Sequence, residues 1–342
     1  MKIILDAMGG DNAPEAPVLG AIEAAKAWGS QITLVGRGEE ILNVMKKHGI
    51  DTLPDGMEIA NADDVVDMHD EPANVVRKRK NSSMIVGLKM LSEDQGDAFV
   101  SAGSTGALLS GATLVVKRVK GIRRAAMGPA MPNKAGGKTV ICDCGANAEC
   151  TPEFLLQFGL VGTMFAKKNL GIANPRVGLL NIGTEDSKGT PLQKEAYGLL
   201  TNAHEQGLIN FIGNVEGREV LLGGVDVVVC DGFSGNVLLK GIEGTAMFMG
   251  SLMSRMFKKN ILSKIAALLV MKDIKAFKKM LDYREIGGTQ FLGIKKPVIK
   301  AHGSSDALAF RNAVRQAEEA AKADFSAELE AQLAKMKESS DD

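Results

Sequence analysis

The chain has 342 residues, 45% of them hydrophobic and 24% charged, and its 41 basic residues are balanced by 41 acidic ones. That is the composition of a globular chain, and a net charge of zero supplies no global field for a nucleic-acid partner. No apolar run approaches the ~18 residues of a membrane span, and Lys2-Ile3-Ile4-Leu5 runs straight into Asp6 with no export signal, so a cytoplasmic location is expected.

Residues 2–6 read as a short apolar strand ending in Asp6-Ala7-Met8-Gly9-Gly10-Asp11, two glycines between aspartates at a strand's carboxyl end. The same turn serves equally to cap a helix over 14–28. A strand over 31–35 leads into Gly36-Arg37-Gly38-Glu39-Glu40-Ile41, a near miss to the dinucleotide fingerprint, with Ile41 in place of its third glycine. A strand over 58–61 and a helix over 72–91 follow. The basic run Arg77, Lys78, Arg79, Lys80 reads as a solvated face or, second, as a hold for an anionic ligand.

The chain is organised around Ser101-Ala102-Gly103-Ser104-Thr105-Gly106-Ala107, between a buried strand over 97–100 and a buried helix over 107–119. Gly103 and Gly106 admit a close backbone approach, while Ser101, Ser104 and Thr105 supply hydroxyls. Free N–H groups at the helix start favour an anion. An ordinary capped strand-to-helix turn accounts for the same residues, and both readings stand at this stage.

Five more strands, over 138–142, 176–180, 210–212, 225–230 and 297–300, end in polar turns. These turns are Asp143-Cys144-Gly145-Ala146-Asn147, Asn181-Ile182-Gly183 running to Lys188-Gly189, Gly213-Asn214, Asp231-Gly232-Phe233-Ser234-Gly235-Asn236 and His302-Gly303-Ser304. Near-continuous apolar strands alternating with helices predict an α/β fold built on a doubly wound, mostly parallel sheet. Ligands of such sheets bind at the strands' carboxyl ends, and with few aromatics these turns suit a small oxyanion better than a nucleotide. The four cysteines, Cys142, Cys144, Cys150 and Cys230, read as buried reduced thiols, with a metal or redox pair as the alternative.

Residues 245–285 read as an inserted helical hairpin with a break near 269–273. It is apolar on one side (Met247, Leu268, Leu269) and basic on the other (Lys258, Lys259, Lys264, Lys278, Lys279). It packs on its own domain or a second subunit, or it meets an anionic membrane or acidic protein. Residues 1–325 are expected to be a single α/β domain, followed by a polar tail over 326–342, helical and then frayed.

In these motifs the chain resembles the PlsX family, the acyl-carrier-protein:phosphate acyltransferases of bacterial phospholipid synthesis. The matches run in order: Asp6-x-Met8-Gly9-Gly10-Asp11, Ser101-Ala102-Gly103-x-Thr105-Gly106-Ala107, Asp143-x-Gly145-Ala146-Asn147, and Asn181-Ile182-Gly183 with Glu185 and Lys188-Gly189. Asn214-x-Glu216-Gly217, Asp231-Gly232-Phe233-x-Gly235-Asn236, Gly287-Gly288 and Lys300-Ala301-His302-Gly303 complete them. The resemblance implies a Rossmann-like three-layer αβα fold, akin to phosphotransacetylases and isocitrate/isopropylmalate dehydrogenases. It implies acyl transfer from acyl carrier protein to inorganic phosphate, without metal or other cofactor. It further implies a homodimer at the membrane surface that supplies acyl phosphate to a membrane acyltransferase.

For that chemistry the central turn (Ser101, Gly103, Ser104, Thr105, Gly106) is expected to hold phosphate, with Lys188 neutralising it. Asn147, Asn181 and Asn236 are expected to donate to phosphate or the thioester oxygen, beside Gly183. Asp6, Gly9, Gly10, Asp11, Asp143 and Asp231 are expected to orient donors. His302 is the candidate proton donor to the leaving thiol, or else simply fixes its own turn. Lys258, Lys259, Leu268 and Leu269 are the expected membrane or partner contacts. Two competing readings are a nicotinamide-dependent 2-hydroxy-acid dehydrogenase and a non-enzymatic membrane-docked scaffold.

Overall fold

A computed structural model of the protein describes residues 1–67 and 69–341, and at 278–281, 283 and 337–341 it describes the backbone alone. The side chains of Lys278 and Lys279, counted above among the hairpin's charges, therefore lie outside the described residues, as does Asp342.

The described strands are β1 (Lys2–Asp6), β2 (Gln31–Gly36), β3 (Met57–Asn61), β4 (Ala98–Ser101), β5 (Ala126–Met127), β6 (Ala130–Pro132), β7 (Lys138–Cys142), β8 (Arg176–Leu180), β9 (Asn210–Val215), β10 (Val227–Val229), β11 (Gly288–Leu292) and β12 (Val298–Ala301). They form two sheets, in the orders β3-β2-β1-β4-β12-β11-β5 and β6-β7-β10-β8-β9. β1 pairs in parallel with both β2 and β4, and β4 with β12, while β10 lies parallel between β7 and β8. Antiparallel pairing is confined to β11 with its neighbours and to β6 with β7.

The mostly parallel α/β class is as expected, but the single expected sheet is two. Apolar strand runs specify burial on both faces and leave open which strand pairs with which. The chain crosses between sheets at β5 and β6, which are too short to leave a pattern.

Alternation along each strand feeds both faces. Ile3 and Leu5 enter one cluster with Ile22 of helix Glu15–Trp28 and Phe310 of helix Ala307–Lys322. Ile4 enters another with Ile85 and Leu88 of helix Ser83–Ser92. In the second sheet Val140 packs with Phe158 of helix Pro152–Leu170, and Ile141 with Val220 and Leu239.

Three segments differ from expectation. The helix expected over 72–91 is interrupted: Val75–Lys78 ends, and Ser82 caps Ser83–Ser92 by accepting from the Ile85 N–H. Arg79 of the basic run bonds Asp64 and Asp70. The segment expected to be an insertion from Thr245 has no start there, because one helix runs unbroken over Gly232–Lys258. Helices Ile261–Leu269 and Met271–Leu281 follow, the break falling where it was expected. The final helix, Ser326–Asp341, buries Leu329 and Leu333 on the second sheet's cluster.

Candidate active site

β1 and β4 lie side by side although β2 and β3 extend one way from β1 and β12 the other, which makes their carboxyl ends a switch point and a natural crevice. There the buried Asp6 carboxylate accepts from Ser101 Oγ at 2.7 Å and from the Met8 N–H at 3.1 Å. Ser101 Oγ in turn accepts from the Gly103 N–H at 3.1 Å. A Cβ on Gly9 would stand 2.6 Å from Asp6 Oδ2 and 2.9 Å from Gly103 N, so only glycine closes this corner. Burial pushes the Asp6 carboxyl up from its ordinary value, against the hydrogen bonds from Ser101 and Ser83.

This geometry corrects the reading of Ser101 and Gly103 as phosphate ligands. Ser101 is buried, and its hydroxyl and the Gly103 N–H are both committed to the corner. The half-buried Ser104, Thr105 and Gly106 remain, at the start of helix Thr105–Gly111, where Ser104 makes no side-chain cap.

Around β12 the Asp11 N–H donates to the Gly303 carbonyl at 2.8 Å. Lys300 reaches back along the rim, its Nζ donating to the Ala301 carbonyl and lying 3.4 Å from that of Ala102. Burial lowers the Lys300 ammonium to about 8, against the pull of Asp11. His302 Nδ1 lies 2.8 Å from Ser304 Oγ. Burial, Lys240 and Lys300 lower its pKa below the ordinary histidine value, with Glu243 and Asp11 opposing.

The second sheet repeats the device of a buried carboxylate at a strand end. Asp143 Oδ1 accepts from the N–H groups of Cys144, Met127 and Ala146 at 2.6, 2.8 and 3.2 Å. Its Oδ2 accepts from Asn147 N at 2.6 Å and Asn147 Nδ2 at 3.0 Å. Because Met127 belongs to β5, this carboxylate ties the second sheet's rim to the first sheet. Asn147 Nδ2 also donates to the Ala125 carbonyl at 2.8 Å. Both its amide hydrogens are then used, so Asn147 holds the turn instead of donating to a ligand.

Asp231 caps helix Gly232–Lys258 by accepting from Ser234 N and Oγ, both at 2.8 Å. Asn236, exposed on that helix's first turns, lies over Gly145. Lys240 and Glu243, paired at 2.7 Å, bear electrostatically on both His302 and Cys144, so the start of this helix lies near both rims. Asn181 Nδ2 donates to the Lys188 carbonyl and its Oδ1 accepts from Ile182 N, shaping the loop after β8. In that loop Gly183 lies against Glu185, and the exposed Lys188 is 3.9 Å from Glu185. No described contact brings Lys188 to the first rim.

Lys300 was read only as part of the Lys300-Ala301-His302-Gly303 motif, with no role assigned, and Lys240 and Glu243 were not singled out from sequence. Lys300 carried a usable signal, a lysine inside an otherwise apolar strand; the helical pair carried none. The cysteines are unpaired, and burial raises the Cys142, Cys144 and Cys230 thiols. On the hairpin Lys258 and Lys259 are exposed, with Leu268 68% and Leu269 83% exposed, and no described helix is long and apolar enough to cross a membrane.

The fold places the chain in a structural class. It is similar to a phosphotransacetylase from Streptococcus pyogenes (TM-score 0.60, 20% identity, 94% of each chain covered). It is also similar to a 4-hydroxythreonine-4-phosphate dehydrogenase from Klebsiella pneumoniae (TM-score 0.57, 11% identity, covering 94% of this chain and 99% of that one). At such identities these likenesses define the fold alone.

Residues 1–328 match the family model described as Fatty acid synthesis protein, and the chain belongs to that family, the PlsX family it resembles in sequence. A relative named Phosphate acyltransferase from Alkaliphilus oremlandii is 49% identical over 317 residues, covering 93% of this chain and 92% of the relative. One of the same name from Acetivibrio thermocellus is 44% identical over 318 residues, with the same coverage. The chain is thus an acyltransferase, which sets aside the dehydrogenase and scaffold readings.

Proposed function

We propose that the protein transfers a fatty acyl group from the thioester of acyl carrier protein to inorganic phosphate, releasing acyl phosphate and the carrier's free thiol. The observation that carries this reading is the desolvated ammonium of Lys300, set at the carboxyl ends of β4 and β12 beside His302. A cation drawn out of water at a polar rim favours an anion as its partner.

In this reading Lys300 and the N–H groups of Thr105 and Gly106 hold phosphate, with the Ser104 and Thr105 hydroxyls. A phosphate oxygen attacks the thioester carbonyl carbon, and Asn236 donates to the oxyanion that forms. The C–S bond then breaks as the acyl–phosphate bond is completed. The proton on hydrogen phosphate is the one the departing sulfur needs. Neutral His302, whose Nδ1 accepts from the Ser304 N–H at 3.3 Å, carries its hydrogen on Nε2; it gives that proton to the sulfur as the C–S bond breaks and takes the phosphate proton in its place. Holding both reactants in register supplies roughly 7–11 kcal/mol of barrier lowering, and an aimed oxyanion donor about 3–4 kcal/mol. Thioester and acyl phosphate are similarly activated, so the exchange needs no ATP.

The same reading makes the protein a homodimer that works at the membrane surface, with the exposed apolar residues of the hairpin as its contact and a membrane acyltransferase as consumer of the product. Purified protein mixed with acyl-loaded carrier protein and phosphate should release free thiol and acyl phosphate in equal amounts. Thiol release that does not depend on phosphate would overturn the proposal.

A further inference from the structure

Helices Gly232–Lys258, Ile261–Leu269 and Met271–Leu281 of the hairpin line a half-open hollow of about 290 Å³. Gly250, Met253 and Phe257 line it from the first helix, Ala267 from the second, Ile274 and Phe277 from the third. Lys258 and Lys264 also line it, and both residues are exposed. Their methylene stems therefore cover apolar wall while their ammonium groups stand in water. We propose that this hollow is a binding site for the long-chain acyl phosphate, the alkyl tail inside and the anionic head on Lys258 and Lys264. The identity of this ligand rests on the function proposed above.

Size, charge and position agree. Small-ligand pockets run from roughly 300 to 1,000 Å³, so this one is small, suited to one chain and not to the two chains of a bilayer phospholipid. Two cations beside an apolar wall select a tail with an anionic head over a neutral alcohol or an amine. Glu243, Met247 and Gly250 follow Lys240 at three- and four-residue steps, so the rim and the hollow share one helix face. From Lys240 to Gly250 the helix rises about 15 Å at ~1.5 Å per residue. One acyl chain spans about the same length, half of a ~30 Å hydrocarbon core. A product whose head is still at the rim thus has its tail end at the hollow, and it can move along the helix without entering bulk water.

The test uses dodecyl phosphate, a hydrolysis-resistant single-chain anion, titrated calorimetrically into the full-length protein below its micelle concentration. One saturable site is expected, weakened roughly tenfold or more, about 1.4 kcal/mol, by Gly250→Leu, by Ala267→Trp, and by Lys258→Gln with Lys264→Gln. Dodecanol should bind more weakly, and inorganic phosphate should not compete. The two filling substitutions sit on different helices, so one that unfolds leaves the other to decide.

Unchanged affinity in the folded filling variants overturns the proposal, and competition by inorganic phosphate does too, since it places the probe at the rim. A third overturning result is filling variants that lose binding to phosphatidylglycerol vesicles but keep dodecyl phosphate, which makes the hollow a membrane-lipid contact. Intact probe binding in a protein that forms no acyl phosphate sinks the proposed function and spares the hollow. Activity with unaltered probe affinity in the variants sinks the hollow alone.

Discussion

Ser101 Oγ donates a 2.7 Å hydrogen bond to the buried carboxylate of Asp6, joining residues 95 apart in sequence where β1 and β4 run side by side. Ser101→Ala removes a donor from a buried charge and should cost about 1.5–3 kcal/mol, read as a lower denaturant midpoint. Burial holds the Asp6 pKa above 3.8, so the stability tied to its protonated form is complete below that value and lost as pH rises through the folded one. The Ser101 bond opposes the rise, so the variant should lose stability at a higher pH than the parent and end lower at neutrality.

Asp143 performs the matching task on the second sheet, with five N–H groups converging on its two oxygens. Asp143→Asn turns one acceptor into a donor facing donors. A loss of roughly 2–4 kcal/mol is expected, with lower thermal and denaturant midpoints. Unchanged midpoints would remove Asp143 from this role.

Gly235 lies under the same turn, where a Cβ would stand 2.0 Å from the Asp143 carbonyl oxygen and 2.7 Å from Cys230 Sγ. Backbone cannot yield there as a flexible side chain would. Gly235→Ala should cost about 1–3 kcal/mol or more and depress turnover by displacing the start of helix Gly232–Lys258. The unfolding midpoint and kcat, measured on the same preparation, check both.

Lys300 sets a pH dependence for phosphate. Its folded pKa is about 8 against 10.5 in an unfolded chain. Between those values the unfolded chain holds more protons, so stability without ligand should rise with pH across the window. Phosphate binding should run the other way, its KM rising as pH passes about 8 and the ammonium discharges. Lys300→Met should raise the phosphate KM by roughly 10- to 100-fold, the equivalent of about 1.5–3 kcal/mol for a charge-assisted hydrogen bond, and flatten that alkaline limb.

His302 should behave differently. His302→Ala is expected to lower kcat by about 10²-fold or more with little change in the phosphate KM. Because burial, Lys240 and Lys300 lower its pKa, the acid limb of the parent's rate profile should fall below the ordinary histidine value. Unchanged turnover in the variant would take His302 out of the mechanism.

Much of this site was legible in the residues. Asp6, Asp143, Asp231 and His302 were placed at strand ends because an apolar run that stops at a polar, glycine-bearing turn marks a strand's carboxyl end whatever its neighbours are. The roles inside those turns were less legible. Ser101 and Asn147 carry the groups of anion ligands, and only the pairing of β1 with β4, and the bonds of the Asn147 amide to Asp143 and the Ala125 carbonyl, show those groups already spent.

By itself the sequence determined most of the local elements, the strand burial and the family, since backbone preference, apolar periodicity and motif order act over short stretches of chain. Only the tertiary structure decided that there are two sheets, that Lys300 stands at the rim as a desolvated cation, and that one helix carries both Lys240 and the hollow at Gly250. Those outcomes depend on contacts between residues tens to hundreds of positions apart, and no local preference encodes which distant surface a side chain will meet.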